Sequence, residues 1–582
     1  MNDAPRWTLP ASVALVTAVY LATCAHAVLG GDNGEFATLF AEGGVAHPSG
    51  YPLYTVWLRL WSWLPASSPA HGAALATALL GGCAAAALVF ATRAWGASRL
   101  GALFALGTWA FASLPWRLST HAEVFSLNAA LALAITGLSS PDAPVKGTRR
   151  AMLLGLAAGA ALANHMSSVL MAPLGLYGLY LGVKESDRKP LALAGSVLAL
   201  VPGLSTYGYL YVTAQHPEGR WIWGATETLS GLVHHALRSD YGTFNLSADS
   251  RRPDALGELW FLVKRSFIDL RVLPPLLGIA GFFALTREVG DRGRTVARGV
   301  YAATLVLAGP VFMMRFNIAP TGLGALIVER FHLMPEALLA AMAARGFDHL
   351  AERAPLGVRA QTTLAAAVAG LGLTLSLPEV GDDHEATIET YLLDTLDTLP
   401  PNAVVLGTGD HRTLGFPYVQ RALGRRRDVL FIDPMLLPLA HYRARIEHAL
   451  GRRFPFPVGP RIPTVRVAET ILSTGRELYL ADVFSPAIPR ALPTYPYGTV
   501  IRVLPAGAAA PRPDQVIAAN EALYQHYRLR PSRIPLPPWQ AAAQADYART
   551  WITLAGVAEA AHRPDVAGPL RARAALYTPT ED

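Results

Sequence analysis

The chain is short of charge and of cysteine. Only 16% of its 582 residues are Asp, Glu, Lys or Arg, against about a quarter in soluble domains. That excludes a single soluble globule of this length. The two cysteines, Cys24 and Cys83, both lie inside apolar runs. They make no disulfide framework and leave the redox compartment unread. A complete glycine fingerprint for phosphates is missing, since Gly407-x-Gly409-Asp410 is only a fragment of one. The His234-His235 pair has no further metal ligands at a diagnostic spacing.

What is present is apolar. Such residues make up 52% of the chain, and the mean hydropathy is +0.30. The long runs fall between residues 11 and 378, and beyond 380 the composition is that of a soluble protein. A helical crossing needs about 20 mostly apolar residues. Candidates are 10–29, 70–92, 99–115, 122–139, 150–164, 166–183, 190–213, 272–286, 298–314, 333–345 and 360–378, about eleven spans.

The formal net charge of +7 has a topological explanation. Cations cluster in alternate short loops: Arg93 and Arg99; Lys146, Arg149 and Arg150; Lys184, Arg188 and Lys189; Arg287, Arg292, Arg294 and Arg298; Arg345, Arg353 and Arg359. Basic short loops stay in the cytoplasm. The expected partner is thus a lipid bilayer and not nucleic acid. The N-terminus is expected inside, and the loops around 30–70, 116–121, 165, 214–270 and 315–332 outside with the tail. A cleaved signal peptide is the alternative for the first run, because Cys24-Ala25-His26-Ala27 ends in a small-x-small pattern.

The first outer loop carries the densest signal: Gly31-Asp32-Asn33-Gly34-Glu35-Phe36, then Ala46-His47-Pro48-Ser49-Gly50-Tyr51-Pro52-Leu53. If the segment after Gly31 is helical, Asp32 and Glu35 share a face. A carboxylate there can act as general base or bind a divalent cation through oxygen. The bland alternative makes Asp32 an N-cap with Glu35 closing a capping box. Pro48, Gly50 and Pro52 enforce a turn, which leaves His47 unexplained. Residues 53–64, with Trp57, Trp61 and Trp63, read as an amphipathic helix on the outer surface.

This double motif resembles a widespread membrane family long catalogued as a domain of unknown function. It includes the eukaryotic endoplasmic-reticulum enzyme that O-mannosylates plexin-type receptor domains. The resemblance covers roughly residues 28–185. The family usually has Pro-Pro-Gly-Tyr-Pro, and Ser49 replaces its second proline here. Ala122-Glu123-Val124-Phe125-Ser126-Leu127 and Leu162-Ala163-Asn164-His165-Met166 also match. The resemblance implies a GT-C glycosyltransferase fold, an acidic catalytic residue in the first outer loop, and a polyprenyl- or dolichyl-phosphate sugar donor.

Ionisable residues at membrane depth are costly and usually functional, and they collect at one face here. That argues against a transporter or lipid-glycan flippase, which needs a polar path through the bilayer. The expected roles are Asp32 as general base, with Glu35 supporting it or replacing it. His47, Arg117, Glu123, Asn164, His165 and Arg330 are expected at the donor phosphate and sugar. Arginine suits phosphate through bidentate geometry. Tyr51 is expected at the acceptor. No cofactor is required beyond a possible divalent cation. A non-catalytic scaffold presenting the tail is the remaining alternative.

The expected architecture is a multi-pass α-helical membrane protein with a C-terminal soluble α/β domain and a helical tail. The domains are a GT-C-like membrane part over 1–379, an α/β domain over 380–510, and helices over 511–582, with a tetratricopeptide-like pair at Ile517–Tyr527 and Trp539–Ala561. Strands are predicted at Ala403–Gly407, Arg427–Asp433, Glu477–Leu480 and Thr499–Leu504. The resemblance extends to Gly409-Asp410, Phe416, Tyr418, Gln420 and Arg427-Asp428-Val429, a pattern suited to recognising an acceptor. The richness in Ala, Arg and Gly points to a bacterial inner-membrane protein with a periplasmic site. The function implied is transfer of a sugar, mannose by family analogy, from a polyprenyl phosphate to a hydroxyl of an exported protein or a glycan.

Overall fold

The computed structural model describes residues 4–243, 252–286, 292–354, 356–531 and 536–578. Arg287 of the basic clusters lies outside these residues, as do parts of the outer loop at 214–270. Two bodies meet, a helical one rich in Ala and Gly and a mixed α/β one.

Among the described residues, four helices are long and apolar enough to cross a membrane: Pro69–Ala94, Met166–Glu185, Lys189–Gln215 and Val358–Thr398. A fifth arises if Ala255–Asp269 and Leu273–Ala284, bent by 106°, form one span. Other expected spans are shorter apolar helices, such as Thr8–Ala22 and Phe125–Leu138. The long runs read from hydropathy are broken by turns inside them. The run at 99–115, for example, divides into Arg99–Ala110 and Ser113–Ser119.

The loop after the first apolar run forms the helix Asn33–Glu42, with Asp32 at its N-cap. The chain then runs through strand β1 (Gly44–Val45), which pairs in parallel with β2 (Trp221–Ile222). Gly44 has φ +138°, and a Cβ there would lie 1.8 Å from the Trp221 carbonyl oxygen. Only glycine permits this pairing, which fastens the long loop at 214–270 to the motif. His235 of that loop hydrogen-bonds the Ala46 carbonyl through Nε2 at 2.9 Å. It therefore braces the His-Pro turn. The helix after the turn, Pro52–Leu60, buries Tyr54 and Leu58 and leaves Leu60 exposed. Such one-sided burial suits a surface helix.

The C-terminal body holds a five-stranded sheet: β3 (Val404–Leu406), β4 (Leu430–Ile432), β5 (Leu478–Leu480), β6 (Thr494–Tyr497) and β7 (Val500–Val503). The order is β4-β3-β5-β7-β6. The first three strands are parallel, and β7 and β6 close the sheet antiparallel. Four strands fall where the sequence predicts them. β6 is additional, because Pro493 and Pro496 disguise it as a loop. It lies at the sheet edge, where a missing N–H is tolerated. The tail forms three helices, Pro513–Gln525, Pro538–Ala560 and Pro564–Tyr577, instead of a single pair.

The α/β body packs directly on the motif helix. Phe36 and Leu414 share one apolar cluster, and Ala37 joins a second with Phe416 and Tyr418. Arg421 pairs with Glu42 at 2.7 Å. Gly34 marks the closest approach: a Cβ there would lie 2.6 Å from the Leu414 carbonyl oxygen. The glycine of the Asp-Asn-Gly-Glu motif is thus a docking surface for the other body.

Candidate functional site

Asp32 and Glu35 part company in the structure. The Asp32 side chain makes no capping hydrogen bond. Its Oδ2 accepts from Arg330 Nη1 at 2.8 Å. The carboxylate is 14% exposed and lines a cavity of about 750 Å³. Glu35 is buried and fully occupied. It accepts from the His47 backbone N–H at 3.0 Å, from His47 Nδ1 at 2.6 Å and from Trp221 Nε1 at 2.9 Å. A carboxylate with three donors on it is a strut, so the capping-box reading fails for both residues. Asp32 alone presents its oxygens to open space.

His47 follows from Glu35. Burial alone would disfavour its charged form, but the Glu35 and Asp32 carboxylates outweigh this and hold its pKa at about 9. The imidazolium donates from Nδ1 to Glu35 and from Nε2 to the Tyr51 hydroxyl at 3.1 Å. Tyr51 stacks on His165, with ring centroids 5.7 Å apart. His165 is the opposite case. Burial, reinforced by Arg238 and Arg330, pushes its pKa down to about 3. Its Nδ1 accepts the Ser167 N–H at 3.1 Å. The proton therefore sits on Nε2, free to donate into the cavity that His165 lines.

Arg330 joins the two motifs. One Nη1 reaches both Asp32 and Glu123 Oε1, the latter at 3.3 Å. Its guanidinium also lies over the Phe125 ring. Burial would raise the Asp32 carboxyl, yet Arg330 and His47 prevail and hold it below its ordinary value. Burial wins at Glu123, which is pushed up to about 7 against the pull of Arg330. The site thus separates one ionised carboxylate from one near neutrality, a pattern of sites tuned for proton transfer.

Arg117 and Asn164 do not join this cavity. Arg117 pairs with Glu329 and lies 3.7 Å from Asp383, in a smaller adjoining pocket. Glu329, also 3.3 Å from Arg265, satisfies Arg117 and leaves Arg330, the next residue, to Asp32. The pair of Arg117 with Glu123 that the sequence suggests does not form. Asn164 is buried and donates to the Val124 carbonyl at 3.2 Å, bracing the segment that carries Glu123. A divalent cation between Asp32 and Glu35 has no chemical support, because donors fill Glu35 and a guanidinium sits on Asp32.

Other residues complete the cavity. Arg238 and Tyr241 enter from the long loop at 214–270, and Thr408, Asp410 and Asp433 from the α/β body. The last three follow the carboxyl ends of β3 and β4, where open α/β sheets bind ligands. Asp410 is raised by burial and by the negative charge of Asp32. Motif spacing marks Gly409-Asp410. Arg238 escapes a reading of the sequence, its one signal being its place three residues before Tyr241. The opposite wall is apolar, with Val169, Leu170, Leu307, Val311, Phe312 and Phe316.

Residues 32–188 match the family model described as the protein O-mannosyl-transferase TMEM260 N-terminal domain. The chain is 30% identical over 461 residues to "Protein O-mannosyl-transferase TMEM260" of Mus musculus, covering 76% of this chain and 65% of that protein. It is 27% identical over 247 residues to the Dictyostelium discoideum protein of the same name, covering 40% and 30%. The chain thus spans less than two thirds of these relatives' length. Among solved structures it is similar to ArnT from Cupriavidus metallidurans bound to undecaprenyl phosphate. The TM-score is 0.56 at 14% identity, with 87% of this chain and 98% of that chain covered. The apo form of ArnT gives 0.51 at 15% identity over the same shares. These matches bear out the family resemblance read from the motifs, and the structural likeness shows a helical fold like that of ArnT.

Proposed function

We propose that this chain is a membrane glycosyltransferase that moves a sugar, mannose by analogy with its relatives, from a polyprenyl-phosphate donor to a hydroxyl acceptor. The observation that carries the reading is the Asp32–Arg330 pair at 2.8 Å, set in a cavity with one apolar and one polar wall. The relatives' names support the mannosyl assignment. The undecaprenyl phosphate bound to ArnT supports the donor class.

In this reading the isoprenoid chain lies along Leu170, Val311 and Phe312, and the phosphate meets Arg330. Arg330 is shared between two carboxylates. A donor phosphate competes for it and draws it from Asp32. That loss of a cationic neighbour raises the basicity of Asp32 as the donor arrives. Asp32 then takes the proton of the acceptor hydroxyl, whose oxygen attacks the anomeric carbon as its bond to the phosphate oxygen breaks. A single base suits transfer with inversion. The charge on the departing phosphate is met by Arg330 and the His165 Nε2–H. The imidazolium of His47, held by Glu35, keeps the cavity positive beside Asp32. Asp410 and Tyr51 face the acceptor side. The membrane part at 1–379, the α/β domain at 380–510 and the helical tail act as one unit in a bacterial inner membrane, with the site on its periplasmic side.

The test is transfer from radiolabelled polyprenyl-phosphate mannose to a periplasmic protein extract by the purified full chain. Label reaching protein with wild type and not with Asp32→Asn supports both class and base. Label reaching protein with both variants discards Asp32. No label with either, while an unlabelled glycan lipid crosses vesicles, favours a transporter.

A further inference from the structure

A second cluster adjoins the site, in the smaller pocket that Arg117, Glu123 and Arg330 also line. His121, Asp383 and His384 bring one ligand atom each within 4.8 Å of one another. His121 belongs to the outer segment Thr120–Val124. Asp383 and His384 end the long helix Val358–Asp383, His384 being its C-cap. The cluster therefore joins the last long helix, where the chain enters the α/β body, to the segment that carries Glu123.

Two geometric features indicate a ligand: the convergence of three ligand atoms and an orphaned nitrogen among them. The His121 Nδ1 is buried with no hydrogen-bond partner among the described residues, a costly state for a polar atom. His384 Nε2 meets the Thr120 hydroxyl at 3.2 Å. Asp383 supplies a carboxylate whose other contact is Arg117 at 3.7 Å.

We propose that His121, Asp383 and His384 form a site for a divalent transition metal of the zinc class. Two nitrogens and one oxygen suit zinc in tetrahedral coordination, with water in the fourth position. Atoms now up to 4.8 Å apart close in around the ion by about 1 Å, as zinc–nitrogen and zinc–oxygen bonds of about 2.0–2.2 Å require. The metal staples the end of the last span to the Glu123 segment. Arg117 limits the site to one cation by neutralising the rest of Asp383.

The experiment uses the purified full chain in nanodiscs, stripped with a chelator and titrated with zinc alone by equilibrium dialysis. Cobalt(II) replaces zinc in a parallel series, read by visible absorption. Wild type is expected to bind a single equivalent and to give the intense cobalt spectrum of a tetrahedral site. His121→Ala and His384→Asn should each weaken binding by more than about tenfold, at least the loss that follows removal of an outer-shell partner. Their metal-free thermal unfolding should match that of the metal-free wild type, which separates lost ligation from misfolding. Wild type that binds no more zinc than the His121→Ala/His384→Asn double variant would overturn the proposal. So would single variants that keep wild-type affinity.

Discussion

Asp32→Asn separates catalysis from donor binding. The substitution removes one charge and keeps the shape. Asn Oδ1 still accepts from Arg330, and Arg330 keeps Glu123 at 3.3 Å. The fold loses the charge-assisted part of one hydrogen bond, at most about 1.5–3 kcal/mol, and the protein remains folded. Transfer responds differently. A positioned general base contributes about 10²–10⁴-fold, so kcat falls by that factor, equivalent to about 3–5 kcal/mol of barrier. Donor affinity should hold or improve, because the phosphate now competes with one carboxylate for Arg330 instead of two. The assay measures kcat for mannosyl transfer and, separately, the Kd for polyprenyl phosphate in nanodiscs. Donor affinity falling in step with kcat would refute the division of labour between Asp32 and Arg330. An unchanged kcat would refute the base.

The remaining predictions probe the supports of the site. Arg330→Lys keeps the charge and loses the planar fork, so donor Kd should rise by about tenfold, read in the same binding assay. Glu35→Gln breaks a buried pair and should cost about 3–5 kcal/mol of stability, seen as a lower midpoint in thermal unfolding. Because Glu35 is the main favourable partner of His47, that variant should also bring the His47 pKa down from about 9, measured by NMR of a labelled imidazole. In wild type the raised His47 pKa contributes stability that is complete below pH 6.5 and is lost as pH rises through about 9. Its size is at most about 3 kcal/mol by linkage, and His47→Gln should flatten unfolding free energy across that window. Gly34→Ala places a Cβ 2.6 Å from the Leu414 carbonyl oxygen. It should cost about 1–3 kcal/mol of overpacking and expose the junction between the two bodies to limited proteolysis.

Much of the site is legible in the sequence because its residues cluster in two short motifs. The sequence marks Asp32, Glu35, His47, Tyr51, Glu123, His165 and Arg330, and the structure brings all seven together. Their ranking is not legible. Asp32 and Glu35 look equivalent at a spacing of three, and the structure shows Glu35 occupied by His47 and by Trp221, 186 residues away. Arg117 and Arg330 look alike in sequence. They differ because Glu329 is oriented to the first and Asp32 to the second. The sheet is legible from its apolar strands except for β6, where edge position excuses proline. Helix lengths are less so, because hydropathy does not mark the turns that split a run.

The dependence of the motif on the distant α/β body is the step that neither part suggests alone. Gly34 is small because Leu414 passes over it, and Glu42 at the far end of the same helix is held by Arg421. The helix that presents Asp32 is thus clamped at both ends by the body that also supplies Asp410. In the proposed reading, an acceptor that reaches Asp32 meets Thr408, Asp410 and Asp433, which line the same cavity at the carboxyl ends of β3 and β4. Acceptor choice should therefore reside in the α/β body, and donor choice in the helices. Asp410→Asn is the discriminating change. Asp410 makes no side-chain hydrogen bond among the described residues, so its loss leaves the fold and the donor Kd unaltered. It should raise the KM for acceptor by about tenfold, the value of one hydrogen bond to a charged group. A fall in donor affinity instead would move Asp410 to the donor side and undo this assignment of roles.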